Sequence, residues 1–248
     1  MKITQDEIAN FYNTIWLGRL VAAGINDRHR SIFNKTLSIG MLPNSDVLEV
    51  GCGIGTLTQL LIEYLSVGSL YSCDISSESI ALAKKNLKKY SNLTLRCQDA
   101  TDLRLDRKFD FIIMPDCLEH IPIELHRKMF FNISHMLKEN GILYIHIPNP
   151  YCLEWYREYR KEQCQIIDQS VYVQDFIKNI DGTGLYLAHE ESYSIWLQSS
   201  EVFGVGGGEY THRICKKEPK ISEKTYTEIH YSTLNSIPKN NDKDKDNN

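Results

Sequence analysis

The segment Val47-Leu48-Glu49-Val50-Gly51-Cys52-Gly53-Ile54-Gly55-Thr56 constrains the fold more than any other part of this chain. A short aliphatic run closes on three glycines at alternate positions, and a helical pattern starts directly after them. Glycine serves where the backbone turns sharply or where a ligand must lie against it, since no Cβ stands in the way. A strand, a glycine loop and a helix in succession open an α/β sheet, whose ligand sits beyond the carboxyl ends of the strands. The spacing is G-x-G-x-G rather than G-x-G-x-x-G, and Glu49 stands two positions ahead of Gly51. A carboxylate at that place suits a ligand with a cationic group and opposes a pyrophosphate. A positively charged nucleoside is therefore preferred to a nicotinamide dinucleotide.

The rest of the chain fits such a sheet. Strands are expected at 47–50, 70–73, 93–97, 109–114 and 142–147, with helices at 56–65, 77–89 and 125–138 between them. The last of these helices should stop at Asn140-Gly141. Strands alternating with helices of this length imply right-handed crossovers and a parallel sheet covered on both faces. Two later β-rich runs, 185–197 and 209–215, are close enough in sequence to pair antiparallel. Residues 1–42 read as a helical cap: Ile8, Phe11, Tyr12, Ile15 and Leu20 recur at helical spacing, and a second run from Asp27 carries Ile32, Phe33 and Leu37. The main domain is expected at 43–217, with an aromatic and charged insertion at about 150–182. The polar segment 218–248 cannot bury a core and is expected to be disordered.

Composition excludes several classes. At 248 residues the chain fits one domain with trimmings. No run approaches eighteen apolar residues, so no transmembrane helix is expected, and the polar start offers no secretory signal. The formal net charge of −4 argues against binding long nucleic acid by bulk charge. Seven scattered cysteines without a C-x-x-C pair argue against a zinc site or a disulfide framework. Free thiols in a reducing cytoplasm are the simplest expectation.

Two more acids follow strands. Asp74 ends the second, where a carboxylate is placed to accept both hydroxyls of a ribose, and Asp99-Ala100 follows the third. Taken with Glu49 to Gly55, Phe109-Asp110 and Pro115-Asp116-Cys117-Leu118-Glu119-His120-Ile121-Pro122, this order resembles class I S-adenosylmethionine-dependent methyltransferases over about residues 46–150. The resemblance implies a Rossmann-like seven-stranded sheet of order 3-2-1-4-5-7-6, the seventh strand antiparallel. It also implies S-adenosyl-L-methionine as cofactor. The backbone around Gly51, Gly53 and Gly55 would take its methionine part, Asp74 its ribose, and Asp99 with Ala100 its adenine, with Glu49, Cys52 and Ile75 also among the cofactor-binding residues. Asp116 would lie under the sulfonium, and Tyr12 over the cofactor's carboxylate.

Methyl transfer requires donor and nucleophile held close and aligned, plus removal of a proton where the nucleophile is a weak acid. Candidate bases are Asp116, Glu119 and His120. His120 is preferred because an ordinary imidazole can take a proton at neutrality, with packing against the next helix as its bland alternative. His146 is read as a core or edge histidine. No metal is expected. The arrangement ranked behind a metal-free base is a divalent ion held by Asp116, Glu119 and His120, which share one face if that stretch is helical. Tyr151, Trp155 and Tyr156 are expected to form a lid over the acceptor, against the alternative that they merely pack on the sheet. The leading function is methylation of an oxygen or nitrogen of a small-molecule acceptor. Methylation of a peptide or RNA end, a nicotinamide-dependent oxidoreductase and a non-catalytic cofactor-binding module are the competitors.

Overall fold

The computed structural model describes residues 4–195 and 208–218. Beyond Glu218, the segment expected to be disordered lies outside them. Seven strands form one sheet of order β3-β2-β1-β4-β5-β7-β6. They are β1 (Asp46–Val50), β2 (Ser69–Asp74), β3 (Leu93–Cys97), β4 (Phe109–Pro115), β5 (Leu137–Pro148), β6 (Leu185–Ile195) and β7 (Gly208–Lys217). The pairs from β3 through β5 are parallel, while β7 runs antiparallel to both β5 and β6. The helices are α1 (Gln5–Phe11), α2 (Leu17–Ala23), α3 (Asp27–Ser38), α4 (Thr56–Tyr64), α5 (Ser77–Asn86), α6 (Ile123–Met136), α7 (Pro150–Tyr159) and α8 (Val173–Ile180). A π-helical turn, Tyr12–Trp16, joins α1 to α2.

Side chains alternate between the two faces of the central strands, and both faces are buried. Leu48, Ile112 and Leu143 face Met129, Phe130 and Ile133 of α6 and Phe176 of α8. Val47, Phe111, Ile113 and Tyr144 face Ile32 of α3 and Leu57 and Leu61 of α4. Phe130 and Phe176 meet edge to face at 5.4 Å, an arrangement worth about 1 kcal/mol beyond its buried area.

Several expected boundaries shift. Helix α5 begins after Ser76, whose hydroxyl caps Ser79 N, but ends at Asn86 rather than at Lys89. Leu87 leaves the helix to bury itself in the core. Helix α6 stops at Met136, before Asn140-Gly141, because Leu137 is already extended and pairs with Phe109. Gly141 therefore lies inside β5. A Cβ on it would stand 3.0 Å from the carbonyl oxygens of Lys138 and Phe109, so the glycine permits close strand pairing rather than ending a helix.

The expected cap at 1–42 divides in two. Ile32 and Thr36 of α3 are wholly buried in the core, whereas the π turn and α2 bury no residue fully.

Candidate functional site

A cavity opens at the carboxyl ends of β1, β2 and β4. Its wall includes Glu49, Gly51, Cys52 and Gly53 of the first loop, Asp74 and Ile75 after β2, Asp99 and Ala100 after β3, and Asp116 and His120 after β4. Tyr12, Trp16 and Leu20 line it from the N-terminal helices, and Gln165 from the segment after α7. Gly55, Glu119, Tyr151, Trp155 and Tyr156 lie outside its lining.

Each loop glycine does a different job. A Cβ on Gly51 would stand 2.7 Å from Cys117 Cβ, so this position lets the loop after β4 pass close by. Gly55 has φ +88°, and a Cβ there would come within 2.9 Å of Leu87 and 3.3 Å of Ala83; it seats α5 rather than a ligand. Only Gly53 (φ +52°) faces the cavity with little around it, its virtual Cβ meeting Leu20 at 3.5 Å. No side chain caps α4 at Gly55. The first amides of that helix therefore have no side-chain acceptor.

The acids are built in as well. Glu49 is wholly buried; its Oε2 accepts from Thr58 Oγ1 at 2.7 Å and Ser72 Oγ at 2.8 Å. Its Oε1 has no hydrogen-bond partner among the described residues. Burial pushes its carboxyl up to about 7, against the two hydroxyls. Asp74 accepts Gly53 N at 2.8 Å on Oδ2 and Ser76 N at 2.9 Å on Oδ1, so it also fixes the glycine loop. Asp99 Oδ1 accepts Thr101 N at 2.8 Å.

The structure does not bring Asp116, Glu119 and His120 together. Only Leu118–His120 forms a short 3₁₀ turn, and Asp116 precedes it with φ 48°. The Asp116 carboxylate turns instead to Arg28 Nη1 (3.2 Å) and His146 Nδ1 (2.6 Å). Although burial opposes it, the Arg28 guanidinium and the contact with His146 hold Asp116 well below the usual carboxylate range. Among the described residues no three His, Cys, Asp or Glu side chains group as a metal site.

His120 is engaged at both ring nitrogens. Its Nδ1 lies 3.0 Å from Asp168 Oδ1 and 2.7 Å from the Ile167 carbonyl. Burial lowers its affinity for a proton, but the Glu119 and Asp168 carboxyls outweigh that and hold it at about 9. The two carboxyls favour the protonated ring, while burial pushes Glu119 itself up to about 8 and the Gln165 amide nitrogen lies 2.8 Å from His120 Nε2.

Several residues escaped the sequence reading. Arg28 and His29 enter the wall because Asn26 caps α3, accepting from both their amides. Asn26 N donates to His29 Nδ1, which leaves Nε2–H to face Thr56 Oγ1 at 3.1 Å. His146 is buried, as expected, but links Asp116 to the Tyr193 hydroxyl (2.8 Å from Nε2). The signal available for these was slight: an N-cap ahead of Arg-His, and polar residues on an apolar strand.

The aromatic insertion does not close over the cavity. Tyr151 is 70% exposed and Trp155 45% exposed, while Tyr156 is half-buried outside the cavity wall. Helix α7 presents Tyr151, Trp155 and Tyr159 at intervals of four, so they share an outward face. The element that reaches the cavity is the following segment, through Gln165.

Residues 47–141 match the model of the methyltransferase domain family. A malonyl-[acyl-carrier protein] O-methyltransferase of Priestia megaterium is 36% identical over 89 residues, covering 36% of this chain and 29% of the relative. A ubiquinone biosynthesis O-methyltransferase of Coxiella burnetii is 31% identical over 105 residues, 42% of this chain and 43% of the relative. This chain thus spans less than half the length of these curated relatives. Among solved structures, the magnesium protoporphyrin IX methyltransferase of Synechocystis with bound S-adenosylhomocysteine superposes with TM-score 0.66 at 17% identity, over 87% of this chain and all of that one. That likeness shows the fold.

Proposed function

Because its methyltransferase domain makes this chain a member of the class I S-adenosylmethionine-dependent methyltransferases, we propose that it transfers the methyl group of S-adenosylmethionine to an oxygen or nitrogen of a small-molecule acceptor. The observation that carries the reading is one cavity lined by the glycine loop, Asp74, Asp99 and Asp116 together. Two features of it fit the cofactor: the open space before Gly53, and the buried Glu49 Oε1 that lacks a partner. Bound there, the cofactor supplies an activated methyl group on a sulfonium, transferred by in-line displacement without a covalent enzyme intermediate.

The chain's own residues would divide the work. Gly53 and Glu49 receive the amino-acid part, Asp74 and Ile75 the ribose, and Asp99 and Ala100 the adenine. Arg28, the one Lys or Arg in the described cavity wall, supplies the charge for a carboxylate. Asp116 stays ionised and fixed by Arg28 and His146, which preserves a negative wall where a positive centre would lie. His120 faces the cavity beside Gln165, with Glu119 and Asp168 drawing it toward the protonated form. The relatives' names, malonyl-carrier-protein and ubiquinone-synthesis O-methyltransferases, support a small acceptor.

Calorimetry with S-adenosylhomocysteine on the wild type and Asp74→Ala tests the cofactor assignment. We expect micromolar binding, weakened at least about tenfold in the variant, since a hydrogen bond to a charged group is worth about 1.5–3 kcal/mol. Undiminished binding would remove Asp74 from the site. Screening acceptors by product mass then tests the transfer itself.

A further inference from the structure

The N-terminal cap of α3 reaches the cavity through a short chain of hydrogen bonds. Asn26 N donates to His29 Nδ1 at 3.2 Å. A backbone N–H only donates, so Nδ1 holds the lone pair and the one ring proton sits on Nε2. A main-chain contact thus sets the tautomer. Burial, which pushes His29 down to about 4, favours the same uncharged ring. Nε2–H stands 3.1 Å from Thr56 Oγ1, which must accept it.

A hydroxyl that accepts keeps its own proton for another partner. Among the described residues His29 is the only hydrogen-bond partner of Thr56 Oγ1, and both residues line the cavity. The Thr56 proton is therefore left for a ligand. What it meets there follows from its neighbours. Thr56 opens α4, which no side chain caps, so the first amides of that helix are donors too. In the same turn Thr58 Oγ1 donates to Glu49 Oε2, and the second oxygen of that buried carboxyl has no partner among the described residues. An oriented donor and an unclaimed acceptor at one helix start complement an α-amino acid, which carries its carboxylate and its ammonium on a single carbon.

We propose that the Thr56 hydroxyl donates to the carboxylate of the cofactor's amino-acid end, and that His29 is the positioning residue that turns the hydroxyl toward it. The inference rests on the methyltransferase reading and adds a residue from outside the matched family region, 47–141, to its cofactor site. It also gives the cap of α3 a second use. The Asn26 amide that closes the cap fixes the ring, and the ring fixes the donor.

The test is calorimetric titration of the full chain with S-adenosylhomocysteine and with its decarboxylated analogue, which keeps the amine and lacks only the carboxylate. The wild type should prefer S-adenosylhomocysteine by about tenfold or more, as expected of a hydrogen bond to a charged group. Thr56→Val should cut that preference at least about threefold, leaving the analogue's affinity unchanged, and Thr56→Ser should restore it. His29→Gln and His29→Glu supply the second comparison. Either side chain can accept Asn26 N–H and keep the capping box. Only glutamine also has an N–H for Thr56, whereas glutamate takes the hydroxyl proton itself. The preference should therefore survive in His29→Gln and vanish in His29→Glu, while thermal unfolding shows both variants folded. A purely structural role in α3 would leave these two alike. Equal preference in the two His29 variants overturns the proposal, and so does a preference in Thr56→Val that matches the wild type. A wild type that binds neither ligand overturns the methyltransferase reading and the assignment together.

Discussion

His120 is the position where sequence and surroundings disagree most. An isolated imidazole would titrate near neutrality, yet here the proton is held to about 9 by Glu119 and Asp168 against the effect of burial. A histidine whose folded pKa lies above its unfolded value of about 6.5 adds stability that is fully present below the latter and lost as pH rises through the former. The melting temperature of the wild type should exceed that of His120→Gln most at pH 6, and the gap should close by about pH 9–10. A gap that is constant with pH would mean the ring is neutral in the folded protein. The Glu119-His120 pair was legible in the sequence as a candidate. Asp168 and Gln165 were not, because they come from an irregular segment more than forty positions later, where no periodicity marks a partner. The three-residue face of Asp116, Glu119 and His120 failed for a physical reason. It needs a helical turn from Asp116 onward, and Asp116 adopts φ 48° to reach Arg28 and His146. With Asp116 turned away, we expect turnover to survive excess chelator undiminished; a loss restored by Mg²⁺, Mn²⁺ or Zn²⁺ would overturn that.

The strand-loop-helix unit at 46–64 shows what a motif conveys and what it hides. Three alternating glycines announce a loop beneath a ligand, but spacing does not say which of them meets the ligand and which meets protein. The difference is measurable. Gly55→Ala places a Cβ 2.9 Å from Leu87 in a left-handed backbone, so we expect a loss of about 1–3 kcal/mol in denaturant unfolding. Gly53→Val should cost cofactor affinity above all, since its side chain would project into the cavity, where only Leu20 stands near. If both variants lose stability and affinity in equal proportion, the division between seat and cradle is wrong. The boundary between α6 and β5 was misread on similar grounds. Asn-Gly is a strong stop signal for a helix, but tertiary pairing of Leu137 with Phe109 ends the helix earlier and pulls Gly141 into the strand.

The order of the sheet came from the family resemblance alone, while the alternation of strands and helices pointed to parallel crossovers of one hand and agreed with the strand count. Helical periodicity in the first 42 residues said less, since it marks an apolar face without saying what covers it. The fold assigns α3 to the core through Ile32 and Thr36, while α1, the π turn and α2 roof the cavity through Ile8, Tyr12, Trp16 and Leu20. The roof is held by few contacts beyond its own helices: Tyr12 to Gln165, Arg19 to the Glu162 carbonyl, and Asn13 Oδ1 to Ser76 Oγ and Glu78 N. Two of these hydrogen bonds are exposed and two part-buried, and each contributes about 0.5–1.5 kcal/mol. Removing residues 1–24 should therefore leave the sheet folded and cooperative, while stripping one wall from the cavity and weakening S-adenosylhomocysteine at least about tenfold. Ile32→Ala is the contrasting change. It should cost about 2–5 kcal/mol, as removal of a fully buried branched side chain does, with its effect on binding confined to the fraction of folded protein. Thermal unfolding and calorimetry on the two variants separate roof from core. A truncated chain that unfolds outright would place α1 and α2 in the core with α3, and one that binds cofactor as tightly as the full chain would leave the roof without a part in the site.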